Sequence, residues 1–304
     1  MSRAQTYAQL VRLPNLPTAL ADICLGALAT RALPGHWLPF LLLLPASGCL
    51  YSGGMVWNDF FDVDQDRSER PGRPIPSGRV SRREAGLFGA GLLAAGVLLA
   101  VLAGLSQALV ADGASRLPAV LACLLVGCIF LYDGWLKRAA PGPVAMGSCR
   151  ALNVLLGVSA CGSLAPPGMH LAAVVGLYIV GVTWFARTEA RVSNRSALKG
   201  AAGVMLAALL LAIPLPVTAP AASSSFLFPY LLVGLGFAVG LPVSRAVADP
   251  SPVNVQAAVK RAIFALVLLD AVLATACAGA AGLLILLLLT PSLYLSRRRW
   301  LYAT

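Results

Sequence analysis

Four aspartates lie close together at the end of a long apolar stretch, where they could bind a metal ion. The apolar stretch covers 37–57, and the aspartates fall within the next nine residues: Asp59, Asp62, Asp64 and Asp66. If the helix of that stretch continues, its rotation of about 100° per residue places Asn58 and three of these aspartates on one stripe. The three are Asp59, Asp62 and Asp66. Hard oxygen atoms on one face are the ligands that Mg²⁺ prefers.

Six arginines follow the acidic stretch: Arg67, Arg70, Arg73, Arg79, Arg82 and Arg83. Carboxylates this close together repel one another strongly in a low-dielectric setting unless a cation lies among them. Guanidinium groups also present forked donors that match phosphoryl oxygens. The pattern therefore predicts a membrane-embedded site for a diphosphate that is bridged by Mg²⁺.

The acidic stretch has two other interpretations. The first is a solvated loop of mixed charge between two membrane spans. The second is a calcium loop that begins at Asp62, but its sixth position would be Arg67 instead of glycine and its twelfth Arg73 instead of glutamate. The residues disfavour the calcium loop and leave the solvated loop as the alternative.

Two later segments carry polar residues that could join the site. Tyr132 can form a hydrogen bond and Lys137 can hold a phosphate oxygen, although both also suit an ordinary membrane interface. In the stretch 185–195, Glu189 is the only carboxylate, with Ser193 four residues later. Within the apolar segments, Arg150 could pair with Asp22 or Asp270, or it could reach a diphosphate.

The elements that position these residues must be membrane helices. Hydrophobic residues make up 59% of the 304 residues and charged residues only 12%, which excludes a soluble globular protein. In a membrane protein, the net charge of +11 fits cytoplasmic loops, anionic lipid and an anionic substrate, so no nucleic-acid partner is expected. The chain is predicted to be one transmembrane domain over 1–304.

Ten apolar segments are predicted to span the bilayer: 16–34, 37–58, 84–105, 117–135, 143–162, 167–188, 197–215, 225–244, 257–277 and 279–295. The last two are the least distinct, so nine spans is the alternative. A single helix over 257–295 would measure almost 60 Å, about twice the thickness of a hydrocarbon core. A turn at Ala278-Gly279 would divide it.

The distribution of basic residues predicts the orientation. With ten spans, the side that carries the acidic stretch and both ends of the sequence holds 20 of the 23 lysines and arginines. Such a bias marks the cytoplasmic side. We therefore expect an integral protein of a bacterial inner membrane, with the motif loops and both termini in the cytoplasm.

Three motifs of this chain resemble those of the UbiA superfamily of intramembrane prenyltransferases. The pattern N-D-x-x-D-x-x-x-D is matched by Asn58, Asp59, Asp62 and Asp66. The pattern R-P-[ILV]-P-S-G-R is matched by 73–79, from Arg73 to Arg79, and Y-x-x-x-L-K-R by 132–138. The motifs occur in the family's order, and the resemblance covers most of the chain.

The resemblance implies an all-α integral membrane bundle of nine to ten helices around a central cavity, capped by cytoplasmic loops. It implies Mg²⁺-dependent transfer of an isoprenoid from a polyprenyl diphosphate to a lipophilic acceptor, most often aromatic. The implied catalytic residues are Asp59, Asp62, Asp66 and Lys137. The implied metal ligands are Asn58, Asp59, Asp62, Asp66 and Glu189. The residues expected to bind substrate are Asn58, Arg73, Arg79, Tyr132, Arg150, Asn153 and Arg191.

The chain departs from the family pattern at the second acidic motif. Where members usually have D-x-x-x-D, this chain has Glu189 and Ser193, so one of two carboxylates is missing. The pair Arg150 and Asn153 lies outside the general signature and is similar to the EboC-type branch. Two alternatives therefore stay open: a non-catalytic or transport-related scaffold that binds a lipid diphosphate, and an enzyme with a non-aromatic acceptor or cyclase activity.

Overall fold

The computed structural model describes residues 2–33, 35–110, 113–189, 192–218 and 225–298. Throughout these ranges the secondary structure is helical, and none of their residues lies in a β-strand. The all-α fold class predicted from the sequence is confirmed.

The helices follow one another with short connections. They are α1 Arg3–Leu10, α2 Leu16–Ala29, α3 Trp37–Phe61, α4 Val63–Glu69, α5 Arg82–Ser106, α6 Leu117–Leu131, α7 Gly142–Val158, α8 Pro166–Ala186, α9 Arg195–Ala212, α10 Leu215–Thr218, α11 Phe228–Ala248, α12 Pro252–Ala278 and α13 Leu289–Ser296. Short 3₁₀ segments extend several of them: Leu13–Asn15, Gln107–Leu109, Ser159–Cys161 and Gly279–Leu288. A π-helical turn, Tyr132–Leu136, follows α6.

Eight helical stretches of the described chain are long and apolar enough to cross a membrane, and Leu13–Ala29 is a shorter apolar one. The last of the eight, Pro252–Ser296, has 45 residues but does not form one straight helix. The backbone reverses at Gly279, whose φ of +65° suits glycine. Gly282 then packs against α12, where a Cβ would come within 2.5 Å of the Thr275 nitrogen. Each of the ten predicted spans thus has a helical segment.

Close contact between α2 and α7 determines the centre of the bundle. At Gly157, a Cβ would lie 2.7 Å from the Ile23 Cα, so only glycine lets the two backbones approach this closely. Helix α2 also packs against α3 and α12, which places it between the two halves of the hydrophobic core. The polar residues of α2 and α7 are therefore held next to each other inside the bundle.

Candidate active site

The acidic stretch lies where α3 passes into α4. The helix bends at Asp62, yet the Asp62 amide donates to the Asn58 carbonyl at 3.1 Å and the Asp66 amide to the Asp62 carbonyl at 2.8 Å. The helical phase predicted for these residues is consequently preserved across the bend. All the residues of the predicted stripe are buried, whereas Asp64 is exposed and pairs with Arg67.

Arg73 joins two of the buried aspartates. Its Nη1 donates to the Asp59 Oδ1 at 3.1 Å and to the Asp66 Oδ2 at 2.7 Å. Lys137 forms an ion pair with Asp62 from the other side. Burial raises the pKa of the Asp66 carboxyl, although Arg73 opposes that rise. The structure therefore brings together the three predicted carboxylates and two of the predicted phosphate-binding cations.

Arg12 is a further cation of the site that the sequence alone did not identify. Its Nη2 donates to the Asn58 Oδ1 and to the Asp59 Oδ1, both at 3.0 Å. Burial alone would lower the pKa of the Arg12 guanidinium, but Asp59 raises it above its ordinary value. The left-handed backbone at Arg12, with φ +49°, turns its side chain into the site. Nothing in the local sequence signals that conformation.

The N-terminal helix α1 carries Arg12 into this position. Tyr7 donates to the Glu84 Oε1 at 2.5 Å, and Arg3 donates to the same oxygen at 2.8 Å. The Tyr7 ring also packs edge-on against Phe88, with the centroids 4.8 Å apart. These contacts fix α1 to the start of α5 and so limit the movement of Arg12.

Arg79, predicted to bind the diphosphate, has a local role in the structure. Its Nε donates to the Ser77 hydroxyl at 3.0 Å, and its Nη2 donates to the Gly72 carbonyl. The side chain is exposed, and these contacts shape the loop that carries Arg73. A role for Arg79 in substrate binding stays a prediction.

Glu189 lies just after α8, and its ion pair with the loop of the first motif is long. Its Oε1 is 3.8 Å from the Arg70 Nη2. Burial raises the pKa of the Glu189 carboxyl, while Arg70 and Arg12 lower it. Glu189 therefore lies within the electrostatic range of the same arginine that binds Asp59.

The neutral oxygens near Glu189 take part in local structure. The Ser193 hydroxyl accepts a hydrogen bond from the Thr188 hydroxyl at 2.6 Å and donates to the Thr188 carbonyl at 3.1 Å. Asn194 caps the start of α9 by accepting from two backbone amides. Arg191, which was predicted to bind substrate, lies outside the described residues.

The first-motif carboxylates suit a divalent cation by their chemistry. Among the described residues, no group of three or more histidine, cysteine or acidic side chains is arranged to hold a metal ion. However, an Asp59 oxygen and an Asp66 oxygen both lie within 3.1 Å of one cationic nitrogen of Arg73. The Arg73 guanidinium thus lies where carboxylate oxygens of Asp59 and Asp66 face the same positive charge. That donor set fits Mg²⁺ better than softer metals.

A cavity of about 110 Å³ opens beside the carboxylates, between α2, α3, α6 and α7. At one end it is lined by Asn58, Tyr132 and Asp133, and at the other by Arg150 and Asn153. Between the two ends its wall is mainly apolar. The π-helical turn after α6 places Tyr132 and Asp133 at the cavity, and Asp133 accepts a hydrogen bond from the Asn58 Nδ2 at 2.7 Å.

Arg150 lies at the deep end of this cavity, away from the carboxylates. Its Nε is 3.0 Å from the Asp22 Oδ2, so it forms the ion pair that the sequence left open, with Asp22 as the partner. Its neighbour Asn153 accepts a hydrogen bond from the Ser47 hydroxyl at 2.7 Å. Ser47 precedes Asn58 by 11 residues on α3, or about 16 Å along a helix. The position of Arg150 offers no support for the predicted contact with a diphosphate.

Comparison with known proteins identifies the family and the fold of this chain. The model of the "UbiA prenyltransferase family" matches residues 19–264. The digeranylgeranylglyceryl phosphate synthase of Ignicoccus hospitalis is 34% identical over 157 residues, 51% of this chain and 47% of that protein. The enzyme of the same name from Methanopyrus kandleri is 32% identical over 50% of this chain and 54% of its own length. The chain thus spans about half the length of the curated relatives it matches.

Solved structures show the same fold. A structure of digeranylgeranylglyceryl phosphate synthase in membranes aligns with a TM-score of 0.65 at 23% identity, covering 91% of this chain and 99% of that one. A UbiA homologue from Archaeoglobus fulgidus bound to GPP and Mg²⁺ aligns with a TM-score of 0.58 at 15% identity, covering 86% and 99%. The family match covers most of the sequence, so the chain belongs to the UbiA prenyltransferase family and is an integral membrane protein.

Proposed function

We propose that this UbiA-family chain, acting as one domain over 1–304, is a Mg²⁺-dependent prenyltransferase. It moves an isoprenoid from a polyprenyl diphosphate onto a lipophilic acceptor. The observation that carries the proposal is the alternation of buried carboxylates and cations at the mouth of an apolar cavity. Such an arrangement suits a ligand with a highly charged head and a hydrocarbon tail. The relatives named for prenyl transfer to a glyceryl phosphate, and a structure bound to GPP and Mg²⁺, agree with it.

The cations of the site can exchange one partner for another. Without substrate, Arg12, Arg73 and Lys137 neutralise the aspartates. Asn58, Asp59, Asp62 and Asp66 would hold Mg²⁺ in the loaded site, where it would supply Lewis-acid stabilisation of negative charge on the diphosphate. The three cations then donate to the diphosphate oxygens instead of to the aspartates. Positive charge thus meets the leaving group where its negative charge develops.

The cavity next to the carboxylates surrounds the departing isoprenoid and determines which groups contact it. The bond between its first carbon and the diphosphate oxygen breaks, a bond to the acceptor forms, and the acceptor loses a proton. Tyr51 and Tyr132 line the cavity and offer aromatic faces to an allylic cation. The apolar wall excludes water, which would otherwise capture that cation.

The charge distribution supports a cytoplasmic position for this site. We propose that the motif loops and both termini lie in the cytoplasm of a bacterial cell, with the bundle in its inner membrane, and the bias of 20 of the 23 basic residues towards one side supports this orientation. Labelling of single cysteines in sealed vesicles tests this topology. A cysteine at Arg70 should react only from the cytoplasmic side, whereas reaction from the opposite side would contradict the orientation.

The decisive test of catalysis compares Asp62→Ala with Asp64→Ala in proteoliposomes. Asp62 is buried and paired with Lys137, whereas Asp64 lies two residues away and is exposed, so it is a matched control. We expect Asp62→Ala to abolish Mg²⁺-dependent consumption of geranylgeranyl diphosphate and Asp64→Ala to retain it. Normal turnover by Asp62→Ala, at an unchanged folded yield, would contradict the assignment.

A second candidate function is a scaffold that binds a lipid diphosphate without breaking it, as in a transport-related role. It is favoured by the second motif, where Ser193 replaces a carboxylate and hydrogen-bonds to Thr188. In that case the parent protein would bind labelled diphosphate and release no inorganic diphosphate. Mass spectrometry of lipids from expressing cells would separate both candidates from a cyclase or from an enzyme with a non-aromatic acceptor.

A further inference from the structure

An apolar groove runs between α9 and α11, apart from the cavity beside the carboxylates. Its volume is about 440 Å³, and every residue that lines it is apolar. Leu206 of α9 and Phe237 of α11 line the groove and are 56% and 65% exposed, so the groove opens to the surroundings of the bundle. In a membrane protein, those surroundings are the hydrocarbon chains of the bilayer.

Two glycines of α11 give the groove its depth. A Cβ added at Gly236 or at Gly240 would have no neighbouring helix within 4 Å. Along α11 the groove extends from Val233 to Val243, which corresponds to about 15 Å of helix. A hydrocarbon core is about 30 Å thick, so this length matches the depth of one lipid leaflet. The groove therefore has room for a hydrocarbon chain of one leaflet.

Two basic residues lie level with each other at one end of the groove. The Arg195 Nη2 donates to the Ala248 carbonyl at 2.7 Å, so the start of α9 lies beside the end of α11. Lys199 follows Arg195 by four residues, and Arg245 precedes Ala248 by three. Each of the two is therefore about one helical turn away from that contact, in the direction of the groove.

The helical phase places both basic residues next to the lining of the groove. Lys199 precedes Leu206 by seven residues, which puts the two on one face of α9. Arg245 follows Leu241 by four residues, which puts those two on one face of α11. Leu206 and Leu241 line the groove. One cation thus flanks the groove from each helix.

Neither cation is neutralised by the part of the protein that the structure describes. The side chains of Lys199 and Arg245 are exposed and form no hydrogen bond or ion pair with a described residue. Asp249, the acidic residue nearest to Arg245 in the sequence, instead accepts a hydrogen bond at its Oδ2 from the Asn254 Nδ2 at 2.7 Å. Two positive charges beside an apolar groove complement a ligand with an anionic head and a hydrocarbon chain.

From these observations we propose that an anionic phospholipid of the bilayer binds between α9 and α11. One of its hydrocarbon chains lies in the groove, and its phosphate lies between Lys199 and Arg245, where it accepts charge-assisted hydrogen bonds. This site is separate from the proposed prenyl transfer and does not depend on it. A second copy of the chain suits the groove less well, because a two-fold contact would bring the same two cations together from both copies.

Two lipids with the same acyl chains test the proposal. The full-length protein in a neutral detergent is titrated with phosphatidylglycerol or with phosphatidylcholine, and the bound lipid is counted by native mass spectrometry. We expect saturable binding of phosphatidylglycerol, about tenfold tighter than that of phosphatidylcholine, because only phosphatidylglycerol has a net negative charge. Inorganic phosphate should not displace it, because phosphate has no chain to fill the groove.

A double variant tests the two cations. Lys199→Met with Arg245→Met should bind phosphatidylglycerol about thirtyfold more weakly, since each basic residue at a membrane surface strengthens the attraction of anionic lipid about fivefold. Its binding of phosphatidylcholine should change much less. The control is Arg83→Met with Arg138→Met, which removes two exposed arginines outside the groove and should bind like the parent.

A third variant tests the groove itself. Gly240→Leu places a side chain where the hydrocarbon chain would lie, and the free space around this glycine allows the helix to fold. We expect at least a tenfold loss of phosphatidylglycerol binding. Gly91→Leu is the matched control, because Gly91 of α5 is also exposed and has no neighbour within 4 Å but lies outside the groove. It should bind lipid like the parent.

Four results would overturn the proposal. The first is equal binding of the two lipids by the parent. The second is an equal loss in the two double variants, which would reduce the effect to a general attraction of anionic lipid to a basic surface. The third is undiminished phosphatidylglycerol binding by a folded Gly240→Leu protein. The fourth is a lipid-independent dimer that Gly240→Leu converts to a monomer, which would assign the groove to a second copy of the chain.

Discussion

The turn after α3 and the turn after α8 carry the two acidic motifs of the family, but they differ in how their charges are paired. Each of the three buried aspartates in the first turn forms an ion pair with a cation, with Arg73 shared between two of them. In the second turn the Glu189 Oε1 lies 3.8 Å from the Arg70 Nη2. The carboxylates of the first turn are therefore held in place by ion pairs, as the proposed diphosphate site requires, whereas the second turn offers one loosely held carboxylate.

This difference suggests that the two turns have different roles in the proposed reaction. A site whose ligands already lie together needs only an exchange of ion-pair partners to bind metal and phosphate. A single carboxylate with neutral neighbours has a lower negative charge and a lower affinity for Mg²⁺. We expect the first turn to dominate activity and the second to set how much Mg²⁺ the reaction needs.

The largest effect is expected from Arg73→Lys, which would break the first turn. The guanidinium holds Asp59 and Asp66 at once, and a lysine ammonium on a different stem cannot reproduce that bridge. We predict a loss of about 100-fold in prenyl diphosphate turnover, since charge-assisted contacts contribute about 1.5–3 kcal/mol. Arg67→Lys, at an exposed arginine of the same segment, should retain activity. Equal activity of the two variants would show that Arg73 has no special role.

A smaller loss is expected from Arg12→Met, because Arg12 contacts only one aspartate and one amide of the first turn. We predict about a tenfold loss, corresponding to about 1.4 kcal/mol. The KM for the prenyl diphosphate should rise more than kcat falls if Arg12 mainly binds the diphosphate. Arg3→Met, which affects only the exposed contact of α1 with Glu84, serves as the control. A loss of equal size in Arg3→Met would assign the effect to the position of α1 instead.

Glu189→Gln probes the second turn, and its main effect should be on the Mg²⁺ requirement. Loss of the one carboxylate removes the anionic oxygen on which a second metal position depends. We predict that the Mg²⁺ concentration for half-maximal activity rises several-fold, measured by titration of turnover in proteoliposomes. Glu69→Gln, an exposed residue of α4, should titrate like the parent. If Glu189→Gln also titrates like the parent, the turn after α8 is not a metal site.

Much of this comparison could be anticipated from the residues alone. The helical phase of Asp59, Asp62 and Asp66 survives the bend at Asp62, and the length of the last apolar stretch required the turn found at Gly279. Spacing carries such information because it determines which side chains share a helix face.

The remaining features depend on the packing of distant segments. The backbone of Arg12 is left-handed where its side chain reaches the site. A single arginine in the sequence does not predict that conformation. Two aspartates could have paired with Arg150, and the choice of Asp22 follows from the glycine-mediated contact of α2 with α7. Ser193 could have been a ligand by its spacing from Glu189, but its hydrogen bonds to Thr188 are visible only in three dimensions.

The smallest effect on activity is expected from Ser193→Ala. This variant tests whether Ser193 is a second Mg²⁺ ligand in the turn after α8. Ser193 is 5% exposed, and its hydroxyl forms two hydrogen bonds with Thr188 in the turn between α8 and α9. Ser193→Ala should therefore lower the free energy of unfolding by about 1 kcal/mol, the usual contribution of such a hydrogen bond. Activity and the Mg²⁺ titration should stay within about twofold of the parent, less than 0.5 kcal/mol. A shift of the Mg²⁺ requirement as large as that of Glu189→Gln, at an unchanged free energy of unfolding, would instead make Ser193 a ligand, because a purely local hydroxyl could change metal affinity only through the stability of the turn.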